Sequence, residues 1–73
     1  MVREAKEGDI VVVDGTEFKF GPGSVQFFNS LLSKDVRATE DAMVDIKRRS
    51  DAENVTIPFP KLRKAWEDSQ RET

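Results

Sequence analysis

Asp14-Gly15 stands between two runs of β-favouring residues, and no other feature constrains the fold of this chain as tightly. The stretch Asp9–Phe20 reads DIVVVDGTEFKF. An Asp-Gly pair flanked by such runs is the preferred centre of a type I′ hairpin, because both residues tolerate positive φ. A two-residue loop there pairs Val13 with Thr16, Val11 with Phe18 and Asp9 with Phe20. Side chains alternate across a strand, so Val11, Val13, Phe18 and Phe20 share one face. Ile10, Val12, Glu17 and Lys19 share the other. The first face is the predicted core face. The second is mixed, and Ile10 and Val12 form a small apolar patch on it if nothing covers them.

The rest of the chain reads as elements that cover this hairpin. Gly21-Pro22-Gly23 breaks the second strand. Ser24 then offers a hydroxyl to cap a helix, whose apolar stripe is Val25, Phe28, Leu31 and Leu32, with Phe27 beside it and an end near Ser33 or Lys34. A second helix is predicted from Thr39. Thr39 is a favourable cap, Glu40 and Asp41 suit the positive end of the helix dipole, and Lys47, Arg48 and Arg49 suit its negative end. Ala42, Met43 and Ile46 supply a narrow apolar stripe. After a polar loop over 50–54, Asn54–Ile57 reads as a short third strand, and Pro58 confines it to a sheet edge. Pro60 opens a third helix with Leu62, Ala65 and Trp66 on its apolar side. Trp66 is expected in the core. The order is β-β-α-α-β-α, an α+β domain with a hairpin and a short third strand packed on two or three short helices. A mostly helical bundle with an appended hairpin is the runner-up. Residues 1–7 read as a solvated arm, 8–66 as the folded core and 67–73 as a polar tail.

Composition removes much chemistry. In 73 residues there is no cysteine and no histidine. The chain therefore lacks disulfides, thiolate ligands, a thiol nucleophile and the commonest general base and zinc ligand. Serine has no imidazole to activate it. Asp41 and Asp45 would share a helix face at i, i+4, but nothing near them completes a cation cage, and they read as solvated. Asp51-Ala52-Glu53-Asn54 lacks the central glycine and closing glutamate of a calcium loop. The glycines form neither phosphate-binding signature. No enzyme activity, metal or cofactor is expected. The longest apolar run, Ile10 to Val13, is far too short for a bilayer, and the charged start MVREAKE is no secretory signal.

What remains is surface. Charged residues make up 36% of the chain, yet their net is only −2. Net charge therefore gives no general pull toward nucleic acid or anionic lipid. Two basic clusters stand out, Lys47-Arg48-Arg49 and Lys61-Leu62-Arg63-Lys64. Each could meet phosphates or an acidic protein surface, or simply keep the chain soluble. Ser24 to Arg49 permits a helix-turn-helix reading, but Glu40 and Asp41 at the front of its second helix would repel phosphates. The predicted binding set is the arm residues Val2, Arg3, Glu4 and Lys6, the patch Ile10 and Val12, and Lys47, Arg48, Arg49, Lys61, Arg63 and Lys64.

In size, absent catalytic groups, mixed α+β layout, charged arm and paired basic clusters, the chain resembles the small regulators that lytic phages direct against host bacterial RNA polymerase. Those proteins share no common fingerprint, so the resemblance implies a role and transfers no residue. It implies a non-enzymatic protein that binds polymerase subunits and modulates initiation or termination, in the host bacterial cytoplasm if the chain is phage-encoded; a cytoplasmic monomer is expected in either case. The alternative from the residues alone is a small nucleic-acid-binding module of helix-turn-helix or winged type.

Overall fold

A computed structural model describes residues 3–71. Their elements run β1 (Ile10–Val13), β2 (Thr16–Lys19), α1 (Pro22–Leu32), a 3₁₀ turn (Arg37–Thr39), β3 (Met43–Arg48), β4 (Asn54–Pro58) and α2 (Phe59–Arg71). The four strands form one antiparallel sheet in the order β1-β2-β3-β4. The fold is α+β, as the pattern of the sequence predicts.

The hairpin has the predicted register, with Val13 opposite Thr16 and Val11 opposite Phe18. Asp14 (φ 52°) and Gly15 (φ 80°) both occupy the left-handed region that a type I′ turn demands. Beyond the strands, the Phe20 amide donates to the Asp9 carbonyl (2.9 Å) and the Gly8 amide donates to the Phe20 carbonyl (2.8 Å).

The second predicted helix does not exist. Residues 43–48 form β3, and only Arg37–Thr39 make a single 3₁₀ turn. Val44 and Ile46 alternate with Asp45 and Lys47, and this period of two places Val44 and Ile46 in the core at 0% exposure. Thr39 caps nothing. Its hydroxyl donates back to the carbonyls of Asp35 (3.3 Å) and Val36 (3.2 Å) inside the 3₁₀ turn. β3 pairs with both β2 and β4, so it turns the hairpin and the short third strand into a continuous sheet. The helix-turn-helix reading of residues 24–49 and the helical-bundle alternative lose their second helix with it.

Ser24 is not the cap of α1 either. The helix starts earlier, with Gly21 at its cap position and Pro22 in its first turn, where proline gives up no hydrogen bond. Ser24 Oγ instead donates to the Asp45 carbonyl (2.7 Å) and ties α1 to β3. β4 is an edge strand ending at Pro58, as expected. It runs straight into α2, whose Phe59 amide donates to the Ala42 carbonyl (2.8 Å).

Both helices lie on the face of the sheet that bears Val11, Phe18, Phe20, Val44, Ile46 and Ile57. Between helices and sheet sits an aromatic cluster. Phe20 and Phe28 are 5.0 Å apart between ring centres, and Phe28 and Phe59 are 5.5 Å apart. Trp66 meets Phe20 edge-on at 5.7 Å and Phe28 at 6.1 Å. Trp66 is 1% exposed, the core plug the sequence suggests. Rings of this size each bury a large apolar area, which matters in a domain with so small a core.

Candidate functional site

The sheet face opposite the helices is uncovered by any described element, and strand register determines what it carries. Ile10 is opposite Lys19, and Lys19 is opposite Lys47, so these three form one row across β1, β2 and β3. Val12 is opposite Glu17 in the next row. Arg49 extends that row: its amide donates to the Glu17 carbonyl (3.0 Å) and its guanidinium lies 3.4 Å from the Glu17 carboxylate. Asp45 and Thr56 face each other from β3 and β4, and Thr56 Oγ1 donates to Asp45 Oδ1 (2.6 Å). Four residues of the predicted binding set, Ile10, Val12, Lys47 and Arg49, therefore share this face. Lys19 joins them. Val12 is 48% exposed and Ile10 is half-buried, so the apolar patch expected on the hairpin is present.

Lys19 and Lys47 are the unusual pair. They stand directly opposite each other on the two central strands, and neither ammonium has an ion-pair or hydrogen-bond partner among the described residues. Like charges in direct cross-strand register destabilise a sheet by a few tenths of a kcal/mol, about 0.5 kcal/mol here. Both side chains are exposed, so each ammonium keeps its water and offers its charge outward.

Arg48 leaves the group. It is opposite Phe18 on the helix side of the sheet and closes onto the β3–β4 turn. Its Nε and NH2 donate to the two oxygens of Asp51 (3.0 and 2.9 Å). The Arg48 hydrogen bond, with help from the Glu53 amide, holds the Asp51 carboxyl below the usual aspartate range, and the same pairing raises Arg48. This cation is engaged by the β3–β4 turn and stands apart from the open face.

The second basic cluster lies on α2, away from the open face. Lys61 pairs with Asp14 at the hairpin turn. Arg63 turns inward, 6.0 Å over the Phe59 ring with its Nε 3.7 Å from Glu67. Lys64 is exposed beside β1. Lys47 and Arg49 thus lie on the open face while Lys61, Arg63 and Lys64 lie on α2 across the sheet, so the two clusters make no joint basic patch.

Val2 lies outside the described residues. Met1 lies outside them too, and Arg3, Ala5 and Lys6 are tied into the fold. Ala5 is buried, its amide donates to Asn29 Oδ1 (2.9 Å), and Asn29 Nδ2 donates to the Ala5 carbonyl (2.8 Å). Trp66 Nε1 donates to the Arg3 carbonyl (2.7 Å), and the Arg3 guanidinium sits 5.8 Å from the Trp66 ring centre. The Lys6 amide donates to Asp9 Oδ2 (2.9 Å), while the Glu4 and Lys6 side chains face solvent. At the other end α2 continues to Arg71, through most of the stretch read as a polar tail.

Two residues that the sequence places on or beside apolar helix stripes are exposed. Phe27 on α1 and Met43 at the start of β3 are 48% and 49% exposed and border one shallow depression with Ser24 and Asp45. Met43 joins the site only once 43–48 is a strand, and Lys19, already on the mixed face of the hairpin, gains Lys47 as its neighbour in the same way. The alternation of Val44 and Ile46 was the available signal.

Asp41 and Asp45 share no helix face, because Asp45 is on β3 and Asp41 precedes it in a turn. Among the described residues no cluster of three or more carboxylates could hold a metal ion, and no helix is long and apolar enough to cross a membrane. Comparison with family models, with curated proteins and with solved structures gives no match.

Proposed function

We propose that this chain is a non-enzymatic, protein-binding regulator that docks an acidic protein surface on its open sheet face. The observation that carries the reading is the Lys19–Lys47 pair. A sheet keeps two unneutralised cations in direct register at a cost to its own stability, and an acidic partner would offset that cost. Ile10 and Val12 beside the pair supply apolar contact, and Glu17 and Asp45 on the same face would select against wrong partners by repulsion. The resemblance in layout to phage regulators makes bacterial RNA polymerase the named partner, with modulation of initiation or termination as the outcome and the bacterial cytoplasm as the setting.

A protein partner fits this face better than a nucleic acid. Sheets that bind single strands stack bases on exposed aromatic side chains. None of the sheet residues on this face is aromatic, and two carboxylates interrupt its cations.

Lys19→Glu separates folding from binding. It converts a like-charge pair into an opposite-charge pair, so stability should rise by about 0.5 kcal/mol. Affinity for purified bacterial RNA polymerase should fall about tenfold or more. A variant that binds polymerase as well as the parent chain would end this reading. So would saturable binding of the parent chain to DNA or RNA in the absence of a protein partner.

A further inference from the structure

β1 is an edge strand of sequence Ile-Val-Val-Val, with neither charge nor proline to blunt it. Edges usually carry such features, as β4 does at Pro58, because an unblunted edge pairs with another strand. The hairpin register shows which groups are free. Asp9–Phe20, Val11–Phe18 and Val13–Thr16 are the positions that bond toward β2, so the N–H and C=O groups of Ile10 and Val12 point away from the sheet. They have no backbone partner among the described residues.

α2 lies along this edge and runs antiparallel to β1. Lys61 meets Asp14 at one end, and Ser69 lies beside Ile10 and Asp9 at the other. The groove between strand edge and helix is lined by Val12, Asp14, Lys61, Lys64, Ala65 and Asp68. Along α2 its charges are therefore polarised: two lysines toward the start, a small alanine at the middle, an aspartate toward the end.

We infer that the chain forms a symmetric dimer by antiparallel pairing of β1 with β1 of a second copy, which joins the two sheets into one of eight strands. A two-fold axis beside Val11 and Val12 passes near Ala65, because α2 follows β1. It sets the two α2 helices antiparallel, with alanine where they approach closest. Asp68 of each copy then meets the Lys61–Lys64 end of the other, twice over by symmetry. The same axis satisfies the strand edge and the helix charges, and this self-complementarity selects a second copy over an unrelated strand. The dimer leaves both open sheet faces uncovered and sets them side by side. It replaces the monomer expected from sequence and does not depend on the identity of the docking partner.

The test is sedimentation of the full chain at low ionic strength with charge-changed variants. The parent chain should be a dimer at about 100 μM. Asp68→Lys alone and the double variant Lys61→Glu/Lys64→Glu should each be monomeric there, since each sets like charges against like. Mixed in equal amounts, the two variants should form a heterodimer, a result that misfolded variants cannot give. In the parent dimer, the Ile10 and Val12 amides should exchange more slowly as concentration rises. A parent chain still monomeric at about 1 mM would overturn the inference. So would a dimer indifferent to both charge changes, a mixture that stays monomeric, or Ile10 and Val12 amides that exchange at the same rate at all concentrations.

Discussion

Asn29→Ala should loosen the N-terminal segment and lower the stability of the whole domain. Asn29 acts on Ala5 as a neighbouring strand would, accepting from its amide at 2.9 Å and donating to its carbonyl at 2.8 Å. Each such bond contributes about 1 kcal/mol net, so losing both costs about 2 kcal/mol. Ala5 is only 4% exposed, and its amide and carbonyl do not regain water fully without moving the segment, which keeps the estimate from falling much lower. In a domain of this size 2 kcal/mol lowers the melting temperature by about 8–16 °C. Urea unfolding is the assay, followed through Trp66, the only tryptophan. Because the Trp66 ring nitrogen also donates to the Arg3 carbonyl, its emission should redden in the folded variant as the segment lifts away. A loss below about 0.5 kcal/mol, with native emission unchanged, would refute the claim that this segment is part of the core.

Two further outcomes concern the β3–β4 turn. Ala52 sits at φ 58°, a conformation that costs a residue with a Cβ about 1 kcal/mol, so Ala52→Gly should stabilise the domain by a few tenths to about 1 kcal/mol in the same urea assay. Asp51 is held below its ordinary pKa by Arg48, so the ionised form is favoured in the folded state. Its stabilising effect is complete above the ordinary aspartate range and is lost as pH falls through the lowered folded value. The parent chain should therefore lose more stability than Asp51→Asn over that acid interval and converge with it at the bottom, as read by thermal melts across pH.

The hairpin was legible because its information is local: a turn pair that accepts positive φ, and alternation on either side of it. α2 was legible for the same reason, with a proline in its first turn and Leu62 and Trp66 spaced for one face. β3 was not. Glu40 and Asp41 before Lys47–Arg49 fit a helix dipole as well as they fit a charged strand, and Met43–Arg48 is too short for period alone to decide. What decides is tertiary: between β2 and β4, Val44 and Ile46 bury completely as a strand. That misreading hid the open face, since Lys47 and Arg49 align with Lys19 and Glu17 only through strand register. The arm escaped for a related reason. Its anchors, Asn29 and Trp66, lie 24 and 63 residues away from the groups they hold, beyond any window of sequence.

The proposed function makes the face built by β1, β2 and β3 the place where this protein meets its partner. Differential line broadening of the amide spectrum, on adding substoichiometric bacterial RNA polymerase, tests it residue by residue. Losses should concentrate at Ile10, Val12, Lys19, Lys47 and Arg49, with α1 and the outward side of α2 spared. A uniform spectrum, or losses centred on either helix, would contradict it.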